Sequence, residues 1–187
     1  MLNQEKRNDY FQKFWIGNTY PFDHWDVTGY CLADNINADE WVLDVGCGHN
    51  PFKGHIKNLV GVDPSFKEAD VQSPIEEFLT EQKFDVAFVL GSINFGAEEY
   101  IRDQIKAVIS HLKDNSRIYW RCNPGDHREK QLLRVHVPVD VASDEEIDNF
   151  YFPWSKDYHY KFAKEFGFEV KEMSWEKHNR IYACWVR

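Results

Sequence analysis

The chain has 187 residues, 43% of them hydrophobic and 16% aromatic, which suits a single globular domain. Its formal net charge of −9 disfavours broad affinity for nucleic-acid phosphates, and no apolar run is long enough to span a bilayer. The N-terminus lacks the apolar core of a secretory signal, and the four cysteines have neither metal-binding nor C-x-x-C spacing. We therefore expect a cytoplasmic protein with reduced thiols, no metal site and no membrane partner.

The predicted elements alternate between strands and helices after an aromatic-rich N-terminal helical cap at residues 1–40. Apolar runs predict strands at 41–45, 59–63, 69–71, 84–90, 116–121, 168–175 and 180–186. Helices are expected from residue 73, with Ser73 as N-cap and Pro74 in the first turn, and at 97–112 and 154–166. At 49–58 we expect one or two helical turns with Asn50 as N-cap.

This order predicts an α/β fold with three layers, αβα, of the Rossmann-like kind. The sheet is expected to have seven mostly parallel strands. The last strand should be antiparallel, because the turn at 177–179 is too short for a parallel crossover. We expect one domain over residues 1–187. The charge-rich segment 123–153 is too long for an ordinary connection, and we interpret it as a substrate-side insertion.

A glycine-rich turn follows the first predicted strand. Gly46 and Gly48 would let a ligand approach the backbone, and their turn would leave N–H groups for a carboxylate or phosphate. Asp63 ends the second strand, where a carboxylate can accept both hydroxyls of a ribose. The alternative is purely structural, with a tight turn at the glycines and Asp63 capping a helix at Pro64.

These residues carry a family resemblance. The sequence LDVGCG at 43–48 resembles the first motif of class I S-adenosylmethionine-dependent methyltransferases, and GVDP at 61–64 resembles their second. The resemblance covers roughly residues 41–122, and it implies S-adenosyl-L-methionine as cofactor. It implies the following contacts: Asp44, Gly46 and Gly48 with the amino-acid part, Asp63 with the ribose, Asp70 and Val71 with the adenine, and Gly91 and Ser92 with the surroundings of the sulfonium.

Two positions depart from known patterns. Asn50 stands where many members of that family carry a third glycine. Pro51 stands where the dinucleotide pattern G-x-G-x-x-G requires glycine, which counts against NAD.

The acceptor side is less well defined by sequence. Asn94 and Asn123 follow two strands at the same expected edge and are candidate substrate contacts, and His127 is a candidate general base. A solvated histidine is the alternative. The tip after the fourth strand has no Asn/Asp-Pro-Pro-Tyr/Phe sequence, so DNA is not an expected acceptor. A basic cluster could meet an RNA phosphate or a carboxylate, or be a solvated charge mixture; it comprises His127, Arg128, Lys130 and Arg134.

The expected reaction is methyl transfer to a small-molecule or other non-DNA acceptor. A sulfonium methyl group is already activated, so alignment and exclusion of water are the main tasks, without a catalytic metal or covalent nucleophile. Two alternatives remain open. One is a catalytically inactive, methyltransferase-like module for cofactor binding or interaction; the other is a nucleotide-binding oxidoreductase.

Overall fold

The computed structural model describes residues 30–123, 151–175 and 181–187. Its strands are β1 (Val42–Val45), β2 (Leu59–Val62), β3 (Phe84–Leu90), β4 (Leu112–Cys122), β5 (Glu169–Trp175) and β6 (Ile181–Val186). Its α-helices are α1 (Glu98–Ser110) and α2 (Lys156–Glu165), and short 3₁₀ helices occupy Tyr30–Asn35 and Ile75–Glu77. Most predicted strands and both longer helices are thus confirmed to within a few residues.

The strands form one mixed sheet in the order β2-β1-β3-β4-β6-β5. The first four strands are mutually parallel, whereas β6 pairs antiparallel with both β4 and β5. The antiparallel last strand and the mostly parallel Rossmann-like sheet are therefore confirmed. The α/β architecture places the carboxyl ends of β1 to β4 at a common edge, where ligands of such sheets bind.

The outer edge beside β2 differs from the prediction. The strand expected at 69–71 is reduced to a single parallel bridge between Val62 and Val71. Its backbone is held because the Asp70 and Val71 N–H groups both donate to the Gly61 carbonyl, at 2.9 and 3.1 Å. Among the residues described, the sheet thus has six full strands, and the seventh is a short edge contact.

The prediction of a helix beginning at Ser73 is wrong. That segment forms only the 3₁₀ turn Ile75–Glu77, and the Ser73 hydroxyl donates to the Pro74 carbonyl at 2.9 Å rather than capping a helix. The prediction that Asn50 is a helix N-cap is also wrong. Asn50 has φ +55°, the left-handed region, whereas an N-cap residue has extended backbone. At Asn50, contacts with Asp70 and the β2 backbone at Gly61 override the local capping pattern.

The two faces of the sheet are covered differently. Both α-helices pack on one face, α1 through Ile101 and Ile105 and α2 through Phe162. On the other face, Val86 belongs to a smaller core with residues of the turn at 51–56 and the 3₁₀ helix before β1. This arrangement places the chain between 46 and 56 directly over one face of β1 and β2. No helix in the described parts of the chain is long and apolar enough to cross a bilayer.

His159 on α2 is enclosed by tryptophan rings beneath the sheet. Its ring stacks on Trp154 at 4.6 Å and lies 6.1 and 5.8 Å from Trp120 and Trp185. The side chain is fully buried, and neither ring nitrogen has a hydrogen-bond partner among the described residues. Burial lowers the pKa of His159 to about 3, so the imidazole is neutral in the folded state.

The buried imidazole predicts a loss of stability in acid. In the unfolded chain this histidine is protonated when the pH falls below its ordinary pKa of 6.5. In the folded chain it stays neutral until the pH falls to about 3. The free energy of unfolding should therefore fall by about 2 kcal/mol between pH 6.5 and 5 through this group. Urea unfolding of His159→Leu should show a shallower decline over that range than the wild type. Equal slopes in the two proteins would contradict the assignment.

Candidate cofactor-binding site

The residues singled out in the sequence converge on the carboxyl edge of the sheet. The turn at 46–50 follows β1, Asp63 follows β2, the segment 91–94 follows β3, and Asn123 follows β4. Because these four strands are parallel, their carboxyl ends lie side by side. The structure thus brings together most of the predicted cofactor residues from separate parts of the chain.

The backbone amides of the glycine turn donate within the protein. Gly46 and Gly48 have φ +67° and +56°, a conformation that glycine adopts without strain. The Gly46 and Cys47 N–H groups donate to the Val62 carbonyl at 2.7 and 3.2 Å, and the Gly48 N–H donates to Asp63 Oδ2 at 3.1 Å. The expectation that these amides are left for an anionic ligand is therefore wrong, because β2 and its terminal carboxylate use them.

Close packing explains why Gly46 cannot carry a side chain. A Cβ built on Gly46 would lie 2.2 Å from Ser92 Cβ, whereas one built on Gly48 would meet nothing within 4 Å. The tips of β1 and β3 therefore touch through Gly46 and Ser92. The Ser92 hydroxyl is buried there and has no hydrogen-bond partner in the described chain.

This pair of glycines provides a matched stability test. Both alanine variants incur the cost of a left-handed backbone, about 1 kcal/mol, but only Gly46→Ala adds a collision with Ser92. We expect Gly46→Ala to destabilise the protein by about 2–4 kcal/mol and Gly48→Ala by about 1 kcal/mol in denaturant unfolding. Equal losses for the two variants would refute the close contact.

Asp63 closes the turn with its carboxylate. The side chain is buried, and its Oδ1 accepts the Ser65 and Phe66 N–H groups at 2.8 and 3.2 Å, in addition to the Gly48 contact on Oδ2. Burial raises the pKa of Asp63 above its ordinary value, although the three backbone donors oppose that shift. The structural alternative for Asp63 is partly realised, since its carboxylate organises the following turn as a cap would.

Asp44 is buried on the same face of the sheet. It pairs across the ladder with Gly61, and its Oδ2 has no hydrogen-bond partner among the described residues. Burial, reinforced by the charges of Asp63 and Asp70, raises the pKa of Asp44 to about 8. The carboxyl groups of Asp44, Asp63 and Asp70 thus lie close enough to affect one another, and Lys53 forms an ion pair with Asp70. A cluster of carboxyl groups favours a ligand with positive charge.

Asp70 is engaged by neighbouring groups at the side of β2. Its Oδ2 accepts the Gly61 N–H at 2.9 Å and the Asn50 Nδ2 at 3.1 Å, and its Oδ1 forms an ion pair with Lys53. Burial alone would raise its pKa, but the hydrogen bonds from Lys53, Gly61 and Asn50 outweigh burial and lower it. Sequence reasoning did not identify Lys53 or the contact role of Asn50. The tolerance of asparagine for left-handed backbone was a usable signal at position 50.

The tips of β3 and β4 are joined through Asn94. This side chain is fully buried, and its Oδ1 accepts the Asn123 N–H at 3.2 Å. Because a backbone N–H must meet an oxygen, the amide orientation is fixed, with Oδ1 as the acceptor and Nδ2 as the donor. That Nδ2 has no hydrogen-bond partner among the described residues and lies 3.9 Å from a Cβ built on Gly91.

Several predicted features fall outside the described residues. These are His127 with the basic cluster at 127–134, most of the insertion at 123–153, the turn at 177–179 and most of the N-terminal cap at 1–40. In the described part, the Trp154 Nε1 donates to the Ile93 carbonyl at 2.8 Å, which ties the end of the insertion to the β3 tip. No group of three metal-ligating side chains occurs within the described ranges.

The fold was compared with known proteins. No family model matches the chain, and no curated protein matches its sequence. The 1,6-didemethyltoxoflavin-N1-methyltransferase of Burkholderia thailandensis, solved with its substrate and S-adenosylhomocysteine, superposes with a TM-score of 0.70 at 14% identity, covering 97% of this chain and 86% of that one.

Two further structures are similar over nearly their whole length. The magnesium protoporphyrin IX methyltransferase of Synechocystis, with bound S-adenosylhomocysteine, gives a TM-score of 0.66 at 14% identity, covering 99% of this chain and 100% of that one. The N-methyltransferase NodS of Bradyrhizobium japonicum, also with S-adenosylhomocysteine, gives 0.66 at 14% identity, covering 98% and 97%. The chain therefore has the Rossmann-like fold of the class I S-adenosylmethionine-dependent methyltransferases.

Proposed function

We propose that this protein transfers a methyl group from S-adenosyl-L-methionine to a small-molecule or other non-DNA acceptor. The observation that carries the proposal is the glycine turn at the carboxyl edge, whose amides are used by the Val62 carbonyl and by Asp63, in a chain with a methyltransferase fold. The similar structures named above contain the demethylated cofactor, and two of them are methyltransferases named for small-molecule acceptors.

The charge and donor pattern of the cofactor fits the residues present. S-adenosyl-L-methionine brings an ammonium, a sulfonium cation and the hydroxyl donors of a ribose. The ammonium and sulfonium would lie near Asp44, whose carboxyl keeps its proton at neutral pH in the unliganded protein and would ionise beside a cation. Asp63 is placed at the end of β2 to accept the ribose hydroxyls, and its three backbone contacts hold the carboxylate in position.

A dinucleotide fits the same residues poorly. A diphosphate needs N–H donors at the glycine turn, but the amides of Gly46, Cys47 and Gly48 donate within the protein. A diphosphate would also add negative charge to a buried region in which the pKa values of Asp44 and Asp63 are already raised. This pattern favours methyl transfer over the oxidoreductase alternative.

On the acceptor side, the chain's contribution is orientation. The bound cofactor supplies an activated methyl group, and the attacking atom must lie in line with the methyl–sulfur bond. Gly91 and Ser92 would border the sulfonium, and the fixed Nδ2 of Asn94 would donate to an oxygen or nitrogen lone pair of the acceptor. Asn123 holds Asn94 through its backbone and lies beside the same position. His127 remains the proposed base for acceptors that must lose a proton.

The test is methyl transfer from cofactor labelled in the methyl group. The full chain should release S-adenosylhomocysteine when supplied with panels of small amines, phenols, carboxylic acids and heterocycles, and RNA and DNA are included as separate arms. Turnover with a small molecule or RNA supports the proposal, and turnover confined to DNA would contradict it. Cofactor binding without transfer to any arm would instead identify the inactive, interaction-type module.

A further inference from the structure

An arginine is the penultimate residue of β4, at the carboxyl edge of the sheet. Arg121 pairs in register with Leu90, the last residue of β3, and Gly91 follows Leu90 directly. Because adjacent strands lie about 5 Å apart, the Arg121 side chain starts one strand away from the backbone proposed to border the sulfonium. A role for Arg121 toward the methyl acceptor therefore rests on the proposed function.

Arg121 projects to the face of the sheet opposite the two α-helices. Side chains alternate along β4, and Ile118 and Trp120 belong to the core beneath the helices. Arg121 therefore shares the other face with Tyr119, which packs on the smaller core that includes part of the turn at 51–56. The glycine turn leads into that segment, so Arg121 and the chain that leaves the glycine turn lie on the same side of the sheet.

The Arg121 guanidinium has no acceptor among the described residues. The side chain is half-buried, its Nε is buried without a hydrogen-bond partner, and it makes no ion pair with a described carboxylate. A guanidinium stays charged in proteins, and an unpaired charge held out of water destabilises the folded state. The unliganded protein therefore contains a partly desolvated cation that an anionic ligand would stabilise.

Arg117 shows the opposite arrangement on the same strand and the same face. Its Nη1 and Nη2 donate to the two carboxylate oxygens of Glu40 at 2.5 and 2.9 Å, and Nη2 also donates to the Asn35 carbonyl at 3.0 Å. The hydrogen bonds from Arg117 lower the pKa of Glu40 to about 2. Arg117 is thus a structural residue, whereas Arg121 lacks such a carboxylate among the described residues.

Asn94 adds a second donor at the same edge. Its Nδ2 has no hydrogen-bond partner within the described ranges, and its Oδ1 accepts the N–H of Asn123, two residues beyond Arg121. The acceptor side thus presents donors, whereas the cofactor side carries the buried carboxyl groups of Asp44 and Asp63. This distribution favours an acceptor molecule that brings a negatively charged oxygen to the β4 end.

We propose that Arg121 binds a carboxylate of the methyl acceptor, so that the acceptor is a small organic acid. A planar guanidinium can donate two parallel hydrogen bonds to the two oxygens of a carboxylate. One unpaired guanidinium balances the single charge of a carboxylate, whereas an RNA backbone would bring many phosphates to a chain of net charge −9. Arg121 then orients the acceptor by its acid group.

Matched acids and amides test this assignment by equilibrium binding. The full chain with S-adenosylhomocysteine is titrated with benzoate, nicotinate and indole-3-carboxylate, with the primary amide of each, and with phenyl phosphate. Wild type should bind at least one acid about tenfold or more tighter than its amide, the effect of charge-assisted hydrogen bonds. Arg121→Met should bring that ratio to near one, and Arg121→Lys should keep only part of it. Arg117→Met is the control and should leave the ratio unchanged.

The melting temperature provides a readout that needs no acceptor. Methionine keeps an apolar stem like that of arginine, so Arg121→Met mainly removes the unpaired charge. The melting temperature of the unliganded variant should rise by about 2–4 °C. Arg117→Met breaks the ion pair with Glu40 and should lower the melting temperature. A fall in both variants would assign Arg121 a structural role and overturn the proposal.

The binding outcomes separate the role of Arg121 from the cofactor proposal. A wild type that binds S-adenosylhomocysteine but prefers no acid over its amide would overturn the role of Arg121 alone. Retention of the preference in Arg121→Met, or tighter binding of phenyl phosphate than of every carboxylate, would overturn it in the same way. A wild type that does not bind S-adenosylhomocysteine would overturn the cofactor proposal, and with it the placement of an acceptor beside Arg121.

Discussion

Replacing Asp63 with alanine is expected to weaken the binding of S-adenosyl-L-methionine by about 100-fold or more. The variant removes the carboxylate proposed to accept two ribose hydroxyls, and hydrogen bonds to charged groups contribute about 1.5–3 kcal/mol each. It also leaves the Gly48, Ser65 and Phe66 N–H groups without their acceptor, which loosens the turn that the cofactor would contact. Isothermal titration calorimetry measures the affinity directly.

A carboxylate at the opposite edge of the sheet provides the matched control. Asp85 Oδ2 accepts the Trp41 N–H at 2.9 Å and the side chain pairs with Lys113, so Asp85→Ala also removes an acid that anchors backbone. It should lower stability while leaving the cofactor affinity within about threefold of wild type. Equal affinities for the two variants, or a wild-type affinity in Asp63→Ala, would show that Asp63 does not bind the ribose.

Replacing Asp44 with asparagine should stabilise the unliganded protein and weaken cofactor binding. The pKa of Asp44 is about 8 in the folded state, against an ordinary value of 3.8. Between these values the unfolded chain releases this proton while the folded chain retains it, so the free energy of unfolding falls as pH rises. Asparagine has no such proton, and its advantage should grow from pH 4 to pH 8 and reach about 2–4 kcal/mol at pH 7.

The same substitution should affect the affinity for the charged cofactor and the affinity for its product, whose sulfur is neutral, to different degrees. A sulfonium beside Asp44 would favour the ionised carboxylate, which asparagine cannot form, so the affinity for S-adenosylmethionine should fall by more than that for S-adenosylhomocysteine. Urea unfolding at several pH values and calorimetry with both ligands measure the two effects. A variant that is less stable than wild type at pH 7, or that loses affinity equally for both ligands, would contradict this electrostatic role.

The sheet could be predicted from the sequence because each strand has a local signature. The apolar runs at 42–45, 59–62 and 84–90 are short, rich in β-branched or aromatic residues and bounded by turn residues. Their period and length are therefore enough to predict strands. The antiparallel β6 followed from the length of one turn. The convergence of Asp44, Gly46, Gly48 and Asp63 followed from strand ends, since parallel strands place those ends together.

What could not be predicted depends on contacts between distant residues. The amides of the glycine turn donate to Val62 and Asp63, and no local sequence pattern indicates these tertiary contacts. The position of Asp70 opposite Gly61, two residues short of the β2 tip, is set by a single bridge rather than by a strand with its own apolar period. Similarly, Ser73 and Pro74 form a good helix start locally, but the Ser73 N–H donates to the Val71 carbonyl and the segment that follows makes only one 3₁₀ turn.

The most direct test of the central claim is calorimetric titration of the full chain with S-adenosyl-L-methionine and, separately, with NAD. The internally bonded amides of the glycine turn and the buried carboxyl groups at 44 and 63 predict saturable binding of one S-adenosyl-L-methionine per chain and none of the dinucleotide. Heat of binding with NAD alone, or with neither ligand, would contradict the account.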